Sequence, residues 1–327
     1  MIRSGNERTV LSVFGLFSIV AVLAVMFIRA SDKPGQPEPA SERSKYVVTS
    51  VAIPDVLDFA GENTPVENFD VRESLDRELL INTYWQSHTL LLIKRANRYF
   101  PVIEKILKEN GVPEDFKYLS VAESDLMNLV SPAQAVGFWQ FKKGTAGDMG
   151  LEVNSEIDER YHLEKSTKAA CKFLKHSYEL FGSWTMAAAS YNMGRTGLNR
   201  QLGRQDENYY YDLLLNEETA RYIYRILALK LIMENPKEYG FEYSKDELYP
   251  PIPTYKVTLD SPVEDFAEFA KRYSINYKVL KIFNPWLRDN KLTNTRGKTY
   301  YISIPKKGYR DFALDEGVAL PGNESHE

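Results

Sequence analysis

Apolar side chains recur every three to four positions from about residue 84 to residue 234, and that spacing predicts a run of helices. The segments near 84–99, 101–109, 113–123, 164–181, 184–192 and 218–234 carry it. "NGVP", "SPAQAVG", "FGS" and "NMGRTG" mark the breaks. No strand-like alternation interrupts the series, so residues 84–240 read as an all-α domain. Residues 46–83 hold scattered apolar positions and read as an ordered lead-in packed on that domain. The texture changes after the proline-rich stretch 236–253. "TYKVTL" alternates like a strand, and "TYYISIP" does so again some forty residues later. Between them lie two short helical patterns. Ser261, Pro262 and Glu264 form a capping-box signature for the first, and "NYKVLKIFNPW" carries the second. A βααβ module over 254–305 follows, with 306–327 as a tail. The predicted fold class is mainly α with one small mixed module.

The amino terminus adds a different kind of pattern. Residues 10–28, "VLSVFGLFSIVAVLAVMFI", run without a charge. As a helix they span about 28 Å, close to the hydrocarbon thickness of a bilayer. A cleaved signal peptide is the rival reading. Its apolar region is usually shorter, and "FIRAS" makes a poor cleavage site. Residues 1–29 are therefore expected to be a membrane anchor, or failing that a signal. Arg3, Arg8, Arg29 and Lys33 flank the span on both sides and leave its orientation weakly determined. Residues 30–45, with three prolines and almost no apolar side chains, read as an extended linker. Export of the long carboxy-terminal part is the more natural reading for a short head with a single span.

Composition narrows the function classes. The 327 residues carry a net charge of −4, too small to point to nucleic acid as a partner. The single cysteine, Cys171, excludes an intramolecular disulfide and sits on an apolar helical face, where a small buried residue is the plain reading. The four histidines lack metal-ligand spacing, and no metal or other cofactor is expected. Aromatic residues are abundant, but cores use them as readily as sugar-binding surfaces do.

Candidate chemistry begins with Glu123 in "FKYLSVAESDLMN". It falls on the same helical face as Phe116 and Leu119, seven and four positions earlier. A carboxyl held against apolar walls keeps its proton near neutral pH, as a general acid must. A structural glutamate paired with a buried arginine fits the same phase equally well. Ser124 follows it directly. In "SPAQAVGFWQF" small residues and Gly137 lead into Trp139 and Gln140, which lets backbone approach a ligand while a ring and an amide face it. In "AAASYNMG" three alanines precede Tyr191 and Asn192, allowing a close neighbour.

The order Glu-Ser, Gly-x-Trp-Gln, Ala-x-Tyr-Asn-x-Gly and a later tyrosine, Tyr222, resembles the lysozyme-like lytic transglycosylases that cleave peptidoglycan, above all their membrane-bound D type. The resemblance covers roughly residues 84–234. It implies a lysozyme-like helical fold, a glycan-strand substrate and Glu123 as the lone catalytic acid. Ser124, Gly137, Trp139, Gln140, Tyr191, Asn192 and Tyr222 would bind the substrate. It also implies a reaction that closes a 1,6-anhydro ring on N-acetylmuramic acid. A hydrolytic muramidase and a non-catalytic wall-binding scaffold are the rival functions. Gln134 stands where the family usually has glycine, and Ser190 where it often has alanine. The 254–305 module resembles LysM glycan-binding domains, with "Asn-Pro" at 284–285 but "DSP" at 260–262 in place of Gly-Asp-Thr. Glycan binding and simple packing both remain open for it.

Overall fold

The computed structural model describes residues 48–310. The span expected at 10–28, the linker at 30–45 and the tail from residue 311 lie outside them. Among the described residues no helix is long and apolar enough to cross a membrane.

The chain enters through a hairpin the hydrophobic pattern does not reveal. β1 (Leu57–Phe59) pairs antiparallel with β2 (Glu62–Thr64), Leu57 opposite Thr64. Ala60 and Gly61 turn the corner, both at positive φ, as a two-residue hairpin loop requires. The hairpin packs inward: Phe59 is fully buried and meets the Phe116 ring edge-on at 5.2 Å. Two long helices follow, α1 (Phe69–Tyr84) and α2 (Gln86–Glu109). The apolar spacing predicts a break in α2 at Pro101, yet the helix continues through it. Proline removes one ladder hydrogen bond. Here the loss is outweighed because both halves bury the same face, with Leu92, Ile93 and Ala96 before the proline and Ile103, Ile106 and Leu107 after it.

Next come α3 (Phe116–Ser124), α4 (Lys143–Asp148), α5 (Leu163–Phe181), α6 (Trp184–Met193), α7 (Arg195–Gln205) and α8 (Glu217–Glu234). Helix α8 is the hub. It buries side chains on every side, from Tyr222 and Ile223 through Leu227 to Ile232, as a helix enclosed by others must. Ala187, Ala188 and Ala189 of α6 are fully enclosed, so that helix sits close to its neighbours. Helix α3 begins three residues after the expected Pro113. Residues 113–115 instead form a turn whose carbonyls accept from Phe116, Lys117 and Tyr118. The Asp115 carboxylate caps nothing in α3. It holds the Ala60 amide at 2.7 Å and Lys230 of α8 at 2.8 Å, tying hairpin and hub together.

The carboxy-terminal module has the expected order: β3 (Thr254–Leu259), α9 (Phe266–Lys271), α10 (Tyr277–Phe283) and β4 (Tyr300–Pro305). The strands pair antiparallel, Thr254 opposite Pro305 and Leu259 opposite Tyr300. The cap of α9 is Asp265, whose side chain accepts from Ala267 N at 2.6 Å, rather than the expected Ser261. Residues before it are drawn out straight because Val263 and Leu292 exchange two backbone hydrogen bonds of 2.8 Å. Buried Asn284 bonds both backbone groups of Ser303, fastening the end of α10 to β4.

Module and helical body share a core. Val136, Ile157 and Tyr161 of the body pack with Phe266, Leu280 and Trp286 of the module. Ile157 bridges to Leu287, Asp158 N donates to Trp286 O at 2.9 Å, and Arg288 N donates to Glu156 O at 2.7 Å. The 3%-exposed Trp286 also stacks between His162 and Tyr300. Trp286→Ala should therefore cost about 3–5 kcal/mol, as large aromatic truncations in cores do. It should lower one cooperative melting transition rather than a separate module transition. Two resolved calorimetric transitions in the unaltered protein would contradict this shared core.

Candidate active site

Short helix α3 is anchored by Phe116 and Leu119, both fully buried, and the helical phase then carries Glu123 toward the same interior. The Glu123 side chain stays partly open to solvent. Tyr222 of α8 donates its hydroxyl to Glu123 Oε1 at 2.5 Å. Burial pushes the Glu123 carboxyl up from its ordinary 4.5 to about 7. The Tyr222 hydrogen bond opposes that rise, the charge of Glu218 adds to it, and the charge of Arg225 opposes it. Burial first, and then the nearby Glu123 charge, raise the Tyr222 hydroxyl far above its usual range, so it keeps its proton and can donate it to the carboxyl.

Helix α3 ends abruptly. Asp125 and Leu126 both adopt left-handed φ, 55° and 54°, a conformation that costs a non-glycine residue about 1–2 kcal/mol. Two residues of α2 hold the turn: His88 Nε2 meets the Asp125 carboxylate at 3.0 Å, and Arg95 donates to the Asp125 carbonyl at 3.2 Å.

The loop 129–141 forms the adjoining wall. Gly137 has φ +82°, and a Cβ there would lie 2.1 Å from the Arg160 carbonyl oxygen. The close approach that demands glycine is thus made by Arg160 and not by a ligand. Gln134, where the resembled family has glycine, sits at φ 60° in the left-handed region that glycine favours. The Trp139 ring, expected to face a ligand, is instead fully enclosed, its Nε1 donating to Thr167 at 2.8 Å. Ser124 is also buried, its hydroxyl placed between the carbonyls of Ser120 and Phe138. Gln140 bonds its amide nitrogen to the Gly137 carbonyl at 2.8 Å and stays half-exposed.

Helix α6 brings the third stretch. Its amino terminus is capped from afar by Glu62 of β2, which accepts from the Ser183 hydroxyl and from the amides of Trp184 and Thr185. At the other end, Tyr191 donates to the Trp139 carbonyl at 2.6 Å with its ring against Phe173 and Phe141. Asn192 accepts from Thr219 at 2.8 Å and donates to Glu218 at 3.1 Å. Glu123, Tyr222, Tyr191, Asn192 and Gln140 are thus linked through one set of hydrogen-bonded elements. Ser124, Gly137 and Trp139 form the layer behind.

Sequence reasoning did not find four charged groups here: Glu218, Glu78, Arg221 and Arg225. Glu218, exposed on the first turn of α8, is the acid whose charge Glu123 feels. Asp125, Asp148 and Asp158 are otherwise placed: Asp125 on His88, Asp158 on Arg160, and Asp148 exposed on α4. Glu78 of α1, 1% exposed, accepts from Arg221 at 2.7 Å and faces Arg225 at 3.7 Å. The pair Arg221 and Arg225, four apart on one helix face, was the available signal. Among the described residues no group of His, Cys, Asp and Glu side chains is gathered to hold a metal ion.

Residues 100–213 match the transglycosylase SLT domain, a span that includes Glu123, Gln140, Tyr191 and Asn192 but stops short of Tyr222. Residues 255–308 match the soluble lytic transglycosylase C-terminal LysM-like domain. The chain is 28% identical to the membrane-bound lytic murein transglycosylase D of Escherichia coli (strain K12) over 262 residues, 77% of this chain and 56% of the relative. The same protein from E. coli O6:H1 gives the same figures. A putative tributyltin chloride resistance protein of Alteromonas sp. (strain M-1) is 26% identical over 113 residues, 34% of this chain. The chain spans little more than half the length of these curated relatives.

The raised carboxyl has a stability consequence. Between pH 4.5 and about 7 the folded protein holds a proton on Glu123 that the unfolded chain releases, so stability falls as pH rises through that window. Glu123→Gln removes this titration while keeping an acceptor for Tyr222. Its unfolding free energy relative to the unaltered protein should therefore grow by roughly 1–3 kcal/mol between pH 4.5 and pH 8, at about 1.36 kcal/mol per unit. Denaturant melts at the two pH values measure it, and an unchanging difference would contradict a raised carboxyl.

Proposed function

We propose that this chain, which carries a transglycosylase SLT domain joined to a LysM-like C-terminal domain, is a peptidoglycan lytic transglycosylase with a lysozyme-like catalytic body. The single observation that carries the reading is Glu123, a carboxyl tuned to about 7 and held by Tyr222. A group poised there is protonated in a useful fraction near neutral pH and can also take a proton back. In this reading Gln140, Tyr191, Asn192 and Tyr222 receive the glycan strand beside Glu123, with Ser124, Gly137 and Trp139 supporting them from behind.

The bond broken is the β-1,4 link between N-acetylmuramic acid and N-acetylglucosamine. Glu123 gives its proton to the bridging oxygen as that oxygen leaves C1. N-acetylglucosamine departs with that oxygen, and the acetamido carbonyl of the muramic acid itself stabilises the cationic carbon. The carboxylate left on Glu123 then takes the proton of the C6 hydroxyl as its oxygen bonds to C1, closing the 1,6-anhydro ring. Water is not consumed. An intramolecular hydroxyl has a large advantage over water, since effective molarities reach about 10⁵–10⁸ M for well-oriented groups. We place the protein in the cell envelope, held to the membrane through residues 10–28 with the catalytic body on the periplasmic side. Hydrolysis is the second reading, and Glu218 is the observation in its favour, because a second carboxylate near the acid could activate water.

Products separate the two. Digestion of purified glycan strands should yield 1,6-anhydro ends, one water lighter than reducing ends and unlabelled in heavy-oxygen water. Labelled reducing ends would make the protein a muramidase. Glu123→Gln should lower turnover by at least about 10²-fold, the usual contribution of a general acid. The pH profile gives an independent check. Because Glu123 must start protonated, kcat/KM should fall as pH rises past about 7. Tyr222→Phe removes a donor that lowers the carboxyl, so the alkaline limb should move to higher pH. A limb that stays in place would disconnect Tyr222 from the acid.

A further inference from the structure

Four tryptophans are present, at 85, 139, 184 and 286, and they sit in different settings. Trp139 and Trp286 are buried, and Trp184 is half-buried against Tyr178. Trp85, at the junction of α1 and α2, is 57% exposed. It is not loose. Its amide donates to the Ile81 carbonyl, its own carbonyl accepts from Thr89, and both helices end or start on it. One face of the indole lies flat on the His88 imidazole, 3.9 Å between ring centres and 12° between planes. That leaves the opposite face to solvent. A half-packed, half-open aromatic plane is the shape that stacks on the apolar face of a pyranose ring.

The ring beneath is fixed to the catalytic helix. His88 Nε2 binds the Asp125 carboxylate at 3.0 Å, and Asp125 is the residue that ends α3 two positions after Glu123. His88 Nδ1 is buried without a partner among the described residues. An imidazole that donates from Nε2 keeps a bare lone pair at Nδ1, which demands no acceptor. Acid and platform are thus joined by a continuous chain of fixed contacts, from Glu123 along the backbone to Asp125, then to His88 and the Trp85 ring. We infer that Trp85, backed by His88 and Asp125, is a stacking platform for a sugar ring of the glycan strand at a position removed from the cleaved bond. The inference rests on the glycan-cleaving reading above and adds a binding element that no motif of the sequence signals.

The test uses the full chain and soluble uncrosslinked glycan strands, stripped of peptide by an amidase and sorted by length. In Glu123→Gln, which binds without turnover, long strands should protect tryptophan fluorescence from acrylamide quenching, and the protection should vanish when Trp85→Ala is added. In the otherwise unaltered enzyme, Trp85→Ala should raise KM for long strands about tenfold, close to 1.4 kcal/mol of binding. It should also flatten the rise of kcat/KM with strand length, and Trp85→Tyr should restore most of both. A merely structural role would lower the melting temperature without depending on strand length. Unprotected fluorescence in the presence of bound long strands, or a folded Trp85→Ala enzyme with unchanged length dependence, overturns the platform. Failure of the unaltered protein to bind or cleave any strand overturns the functional reading itself, and the platform with it.

Discussion

Arg160 is a cation taken out of water, and the site depends on how its charge is satisfied. The residue is only 8% exposed, with Nε and Nη2 on the Asp158 carboxylate and Nη1 on the carbonyls of Gln134 and Phe141. A buried pair of this kind contributes little net stability, but leaving one member unpartnered costs about 3–5 kcal/mol. The loop 129–141 is therefore held at its middle and at its carboxy-terminal end by one guanidinium, while the Arg160 carbonyl fills the space above Gly137. The neighbouring amide of Asp158 reaches across to Trp286. Loop and module both hang on this one charged pair.

The fold was readable where periodicity was strong. The helices α5 and α8 follow directly from apolar spacing, α2 follows in two pieces that the structure joins across Pro101, and the order of the βααβ module was readable too. What escaped had no periodic signal to give. Strands β1 and β2 are three residues each, too short for alternation to register. Helix α7, "RTGLNRQLGRQ", buries only Leu198 and so shows no apolar stripe. Pro101 and Ser261 carried clear local signals that tertiary contacts overrode. At the site, the phase of Glu123 showed a carboxyl turned inward. Which side of a ring faces solvent has no signature in sequence, and Trp139 turned out to belong to the interior. The Glu78 to Arg221 contact joins residues 143 positions apart on two helices, beyond the reach of any local pattern.

The acid is balanced rather than simply buried. Desolvation and Glu218 favour its neutral form, whereas Tyr222 and Arg225 favour the anion. All three neighbours come from α8, so one helix sets both halves of the balance. Glu78 on α1 helps hold Arg225 in reach. Tyr191, by contrast, spends its hydroxyl on the Trp139 carbonyl and serves the wall. The same hub helix reaches the hairpin through Lys230, so the tuning of the acid and the packing of the lead-in are one structural problem.

The connection between body and module is pinned as well as the interface. Tyr249 N donates to Lys94, while Asn97 and Arg98 donate to the carbonyls of Tyr249 and Pro250. A binding domain on a slack tether raises the local concentration of its target throughout a sphere set by tether length. This module has no such sphere. Anything it held would meet the helical body at one fixed angle, so its contribution would be to set the direction in which a strand arrives.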